Sequence, residues 1–173
     1  MDKAELLRHW RFRVHRVQIG HYEAGRACEN RHFWLGVPAV VISTVVGTAV
    51  FVSISEVAQE TTLVWPKILV GLLSVTSGVL IGLQTFLRYR EQAELHKVAG
   101  SKYAHLKHEI ELLAAMPPDD QNIFRQKLIE IEKEWDTVRM ESPNLPSSIW
   151  KKMEREITFG QDKAASPNFG EAA

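Results

Sequence analysis

The chain has a single cysteine, Cys28, in 173 residues. An internal disulfide is therefore excluded, and no Cys/His spacing of a zinc site accompanies it. A small apolar filler is the simplest role for Cys28. Net charge is lacking too: 21 Lys and Arg balance 21 Asp and Glu, so the overall balance gives no reason to expect a nucleic acid or an acidic substrate. Also missing are a Gly-rich phosphate loop, a dinucleotide fingerprint, a nucleophile elbow and a His-Glu-x-x-His helix. No strands are expected, so the usual frameworks for those sites are missing as well.

Charge is also absent from two long stretches. Residues 33–55 and 68–87 carry none, so all 42 charges fall on the remaining 130 positions, about 32 per cent of them. The mean hydropathy of −0.15 averages two apolar blocks with a polar remainder. Each block is long enough to span a hydrocarbon core of about 30 Å at about 1.5 Å per residue. Buried core helices of a soluble domain are usually shorter and charged on one side. A secretory signal fits poorly, because 32 residues with seven Lys and Arg precede the first block. The expected fold is an all-α membrane protein: a two-helix transmembrane hairpin with long amphipathic cytoplasmic helices. Its parts are a cytoplasmic helix over 1–32, spans over 33–55 and 68–87, an external loop over 56–67, a cytoplasmic helical region over 88–157, and a disordered tail over 158–173.

Arg13, Arg16, Arg26 and Arg31 precede the first span, and Arg88, Arg90, Lys97, Lys102 and Lys107 follow the second, whereas the loop has one Lys and two Glu. The positive-inside rule then places both termini in the cytoplasm. Trp34 and Tyr89 fall near the inner interface and Trp65 near the outer one. No ionisable side chain of the Asp, Glu, Lys or Arg type lies within either span, which argues against a proton relay or an ion-coupled pump.

Small residues recur through both spans at helical spacing: Gly36, Ala39, Ser43 and Gly47 in the first, and Gly71, Ser74, Gly78, Gly82 and Thr85 in the second. In an antiparallel hairpin, residues at equal depth have a nearly constant sum. The pairs 36/85, 39/82, 43/78 and 47/74 each add to 121. Small residues would thus meet small residues over four turns and permit close backbone approach. We read the stripe as an intrachain seam in preference to a contact between subunits. Off this seam, Thr44, Thr48, Ser77 and Gln84 are the polar groups available to face water or another subunit. Thr and Ser also bond readily to carbonyls of their own helix, whereas a carboxamide facing lipid is costly.

Outside the spans, Asp2 with Glu5 fits a capping box. Leu7, Trp10, Val14, Val17, His21, Ala24 and Cys28 follow at alternating steps of three and four. Ala99, Tyr103, Leu106, Ile110 and Leu113 keep the same rhythm up to Pro117-Pro118, and Phe124, Leu128, Ile131, Trp135 and Val138 resume it. Three amphipathic helices of this kind can bundle; 142–146 is a break and 147–157 a short last helix. His105 and His108, with Glu109 and Glu111 near them, read as a solvated face of mixed charge in preference to a metal site. His96, beside the apolar seam, suits a helix–helix hydrogen bond. No catalytic, cofactor-binding or metal-ligating residue is assigned.

Several segments together resemble one family. Trp34-Leu35-Gly36-Val37-Pro38 opens one span and Gly47-Thr48-Ala49-Val50-Phe51 lies near its end. Gln84-Thr85-Phe86-Leu87 is followed by Glu91-x-Ala93-Glu94-x-His96, then by Ala99-x3-Tyr103-x2-Leu106-x2-Glu109-Ile110-Glu111, and later by Leu145-Pro146-x3-Trp150. In order and spacing these segments, across about residues 5–155, resemble the SLATT family of two-transmembrane effectors. The resemblance implies a pore-forming or membrane-perturbing effector of a bacterial conflict or antiviral defence system. It also implies an inner-membrane location and a separate nucleotide-synthesising or nucleotide-sensing partner. It brings no catalytic residues and no cofactor.

Two readings of function follow. One is a homo-oligomeric pore, lined by the uncharged Thr44, Thr48, Ser77 and Gln84 and therefore poorly ion-selective; it is the reading the resemblance favours. The other is a membrane-anchored adaptor presenting a helical docking surface. A membrane enzyme would need clustered acids, His or Cys near the interface, and only the solvated groups already discounted are present.

Overall fold

The computed structural model describes residues 3–55 and 64–157. The capping box at Asp2, the loop as far as residue 63 and the tail beyond 157 lie outside the described residues. Five helices account for nearly all of the rest: α1 Lys3–Ser55, α2 Val64–Leu87, α3 Tyr89–Ala115, α4 Gln121–Glu141 and α5 Ser147–Glu156. Among the described residues there is no strand. Residues 64–67, expected in the loop, are the first turn of α2.

The helices begin and end for local reasons. Pro117 and Pro118 follow the end of α3, and Asp120 caps α4 by accepting a hydrogen bond from the Asn122 amide at 2.7 Å. At the other end of α4, the backbone N–H and the hydroxyl of Ser142 both donate to the Val138 carbonyl, at 3.0 and 2.6 Å. Helix α1 runs unbroken through Pro38, whose missing N–H removes one intrahelical bond, to the carbonyl four residues earlier. The change from polar to apolar composition near residue 33 alters what α1 packs against without interrupting its hydrogen bonding. Between α2 and α3 a single residue, Arg88, takes a left-handed φ of 46°.

The described residues form two compact units. The first comprises residues 3–26 and 93–157, a helical bundle. Its core is Leu7 and Val14 of α1, Tyr103, Leu106, Ile110 and Leu113 of α3, and Phe124, Ile131 and Val138 of α4, with Trp10, Val17, Leu128 and Trp135 packed against it. These are positions that the three-and-four rhythm selects, because such spacing keeps one helix face toward its neighbours. Two close approaches fix the packing of α1. A Cβ on Gly100 would lie 3.0 Å from the Tyr22 ring, and one on Gly25 would lie 3.3 Å from the Ala93 carbonyl. Ion pairs link the helices, among them Arg11–Glu111 at 2.7 Å, Lys102–Glu141 at 2.5 Å and Lys152–Glu23 at 3.0 Å.

The second unit, residues 27–55 and 64–92, is the apolar hairpin. Its two helices are long and apolar enough to cross a membrane, and only 6% of the most apolar window of each is buried within the chain.

Candidate functional site

The contact between α1 and α2 differs from the expected seam by one residue. The Ser43 and Ser77 hydroxyls are 2.5 Å apart, and Ser77 also donates to the Ala39 carbonyl at 3.2 Å. Gln84 Nε2 donates to the His32 ring at 3.3 Å and closes against Gly36. Residue numbers of the pairs 43/77 and 36/84 add to 120, where 121 was expected. One residue turns a helix by about 100°, so α2 presents a different face to α1.

The consequences fall on named residues. Gly36 and Ala39 lie at the contact, as does Ser43. Ser77 and Gln84, read from the sequence as candidates for a pore lining, are turned into the hairpin. Gly47, Gly78 and Gly82, expected in the seam, have open space where a Cβ would stand, and Ser74 and Thr85 are exposed. The physical reason is hydrogen bonding. The face bearing Ser77 and Gln84 finds polar partners on α1, whereas on the glycine face the Thr85 hydroxyl is satisfied by its own helix. Thr44 and Thr48 are exposed, and their hydroxyls donate to the Val40 and Thr44 carbonyls of their own helix at 2.9 and 2.6 Å; Thr85 does the same with Ile81 at 3.0 Å. The large apolar side chains of the hairpin point outward, including Trp34, Val40, Leu72, Val75 and Phe86.

The residues quoted for the family resemblance sit in both units. In the hairpin, Glu91 pairs with Arg88. In the bundle, Ala93 is buried against Gly25, Glu94 is exposed, and Leu106 is wholly buried. His96 and His21 meet through their Nδ1 atoms at 3.0 Å, and the His21 ring stacks on Tyr103 with centroids 5.4 Å apart. Burial, reinforced by His96, lowers the His21 pKa from its usual value to about 4. Burial lowers that of His96 as well and raises that of the Tyr103 phenol. At neutral pH both rings are uncharged, so one Nδ1 carries the shared proton and the other accepts it. Glu111 binds Arg11, leaving Glu109 to join His105 and Glu134. The ligand atoms of these last three lie within 4.8 Å of one another. Burial and the neighbouring Glu109 raise the Glu134 pKa, and His105 faces Glu109 at 3.7 Å and Glu134 at 4.0 Å. This is a cluster of mixed charge from α3 and α4, with His105 exposed and Glu109 and Glu134 half-buried.

Sequence reasoning missed a cleft within the bundle of about 570 Å³. Its walls include Trp10, Arg13 and Arg16 of α1, Trp135 and Arg139 of α4, and Trp150 of α5. The Arg13 guanidinium lies over the Trp135 ring at 4.9 Å and that of Arg16 over Trp150 at 4.8 Å. The only sequence signal was the close spacing of Trp10, Arg13 and Arg16, one helical turn apart each. Nothing in the spacing brings in Arg139 or Trp150. Comparison with known protein families, with curated proteins and with solved structures finds no match to this chain.

Proposed function

We propose that the chain is a membrane effector whose hairpin spans the bacterial inner membrane with both termini in the cytoplasm. It assembles with further copies into a pore, or otherwise perturbs the bilayer, when a nucleotide-signalling partner triggers it, and cell death or dormancy results. The observation that carries the membrane reading is the outward turn of the large apolar side chains along both helices, with so little of either apolar window buried. A soluble core helix would bury that surface, and a bilayer accepts it. The arginines before the first span and the basic residues after the second support the orientation. The resemblance to the SLATT family supports the effector role.

Two helices do not enclose a water path, so conduction needs several hairpins. Ser77 and Gln84 are used inside the hairpin, which leaves the open Gly78 and Gly82 face of α2 for contact between copies. That same inward turn of Ser77 and Gln84 favours a second reading, in which the hairpin is an anchor and the helical bundle a docking surface.

Membrane potential separates the two. In bacteria expressing the native chain, a potential-sensitive dye should report depolarisation, and Gly82→Ile should abolish it while the protein remains inserted. If the potential does not change, even with neighbouring genes co-expressed and signalling active, the effector reading fails and the anchor reading stands.

A further inference from the structure

We infer that the cleft in the helical bundle is a binding site for a nucleoside phosphate. The cleft of about 570 Å³ falls in the size range of small-molecule sites, about 300–1,000 Å³. What distinguishes it is the state of its arginines. Many of the bundle's other cations are ion-paired, as in Arg11–Glu111, Lys102–Glu141, Lys127–Glu130 and Lys152–Glu23. Arg13, Arg16 and Arg139 converge on the cleft from two helices without an ion pair among the described residues. Arg16 goes further: its Nε is buried and finds no hydrogen-bond acceptor. A buried donor of this kind is destabilising unless something accepts from it.

Aromatic partners leave these guanidiniums free for an oxyanion. The Arg13 and Arg16 guanidinium carbons lie 4.9 and 4.8 Å from the Trp135 and Trp150 ring centroids, and Arg16 also lies 5.7 Å from that of Phe12; a ring face attracts the cation without accepting its N–H groups in the way a carboxylate does. The planar fork of a guanidinium matches the paired oxygens of a phosphate. Trp10, Tyr103 and the uncharged His21 also line the cleft, beside Val17 and the 142–145 turn; His21 and Tyr103 stack on each other, and with Trp10 they give a heterocyclic ring aromatic surface to pack against.

The acidic residues narrow the ligand class. Glu132 and Asp136 stand at the exposed rim. They repel a bare polyphosphate, but they accept hydrogen bonds from ribose hydroxyls and from the exocyclic amino groups of a base. Three arginines against two carboxylates give the lining a net charge of +1. A ligand that is part anion and part hydrogen-bonding ring uses the arginines, the aromatic rings and the two carboxylates together. The inference concerns the bundle alone and does not depend on what the hairpin does.

The test uses the full chain in detergent with Trp34→Phe and Trp65→Phe, so that the remaining tryptophans are the three that line the cleft. Their fluorescence is titrated with ATP, GTP, CTP and UTP, and with tripolyphosphate, and dissociation constants are checked by equilibrium dialysis. At least one nucleotide should bind saturably and at least tenfold more tightly than tripolyphosphate. Arg16→Gln and Arg139→Gln should each weaken it at least tenfold, whereas Arg125→Gln, exposed on α4 and outside the cleft, should leave it unchanged. Arg139 is exposed, so its variant keeps the test valid if Arg16→Gln misfolds. No saturable binding by any of the four nucleotides overturns the inference. So does equal binding of tripolyphosphate, which would make the cleft a plain anion site, and so does a folded Arg139→Gln protein that binds normally.

Discussion

At the scale of single residues, the His21–His96 pair sets a pH dependence for the bundle. Both pKa values are lowered in the folded chain, that of His21 to about 4. Between the ordinary value near 6.5 and that value, the unfolded chain binds more protons than the folded one. The contribution of His21 is therefore complete above about pH 6.5 and is lost as pH falls toward 4, and that of His96 is lost in the same direction. Protonating both rings also places a proton on each of the facing Nδ1 atoms and removes their hydrogen bond. Thermal melting of the native chain should show this slope, and His96→Asn should flatten it. Glycine gives a second expectation at this scale. Gly100→Leu adds a branched side chain whose first carbon alone lies 3.0 Å from the Tyr22 ring, a clash that the helix gain from replacing glycine does not offset, and the melting point should fall as for a loss of about 1–3 kcal/mol, the usual range for overpacking. The histidine pair was half legible in the sequence. His96 was expected in a helix–helix hydrogen bond, but His21 was known only as one position in an amphipathic rhythm, and no periodicity says which two polar residues on facing stripes will meet.

At the scale of elements, the apolar runs and the heptad-like stripes of α1, α3 and α4 were readable because hydropathy and a 3.5-residue rhythm depend on composition and order alone. The rotation of α2 was not readable in this way. Small residues cover one broad arc of α2, with Ser77 beside the stripe of Gly71, Ser74, Gly78, Gly82 and Thr85, so side-chain volume does not choose between adjacent registers. The Ser77 hydroxyl bond to the Ala39 carbonyl and the Gln84 bond to His32 do choose one. Crosslinking separates the two registers: Ser43→Cys with Ser77→Cys should form a disulfide rapidly under mild oxidation, and Ser43→Cys with Gly78→Cys much more slowly. The break at Arg88 makes another prediction. Its left-handed backbone disfavours a side chain by roughly 1 kcal/mol, so Arg88→Gly should raise thermal stability despite losing the surface pair with Glu91, which contributes little.

At the scale of the whole molecule, charge is partitioned between the units: the bundle is densely ionic, and the hairpin between residues 33 and 87 has Lys67 as its sole cation. With both termini in the cytoplasm, as proposed, trypsin added to intact spheroplasts should meet Lys67 alone, and the same enzyme added to inverted vesicles should remove the basic sites of the bundle and spare the apolar helices. Mass spectrometry of the fragments would show which face each cut came from. The cleft was the least legible feature at this scale, because its arginines come from positions 13, 16 and 139, and only folding brings α4 and α5 against α1. The chain's one thiol has a consequence of a different kind. Cys28 is buried, its Sγ is 4.0 Å from Gln92 Oε1, and burial pushes its pKa above the usual thiol value. Little thiolate is available to peroxides or to electrophilic dyes. The molecule is therefore deaf to oxidants through its own sulfhydryl, and any cysteine introduced at its surface will react with a maleimide against a silent background.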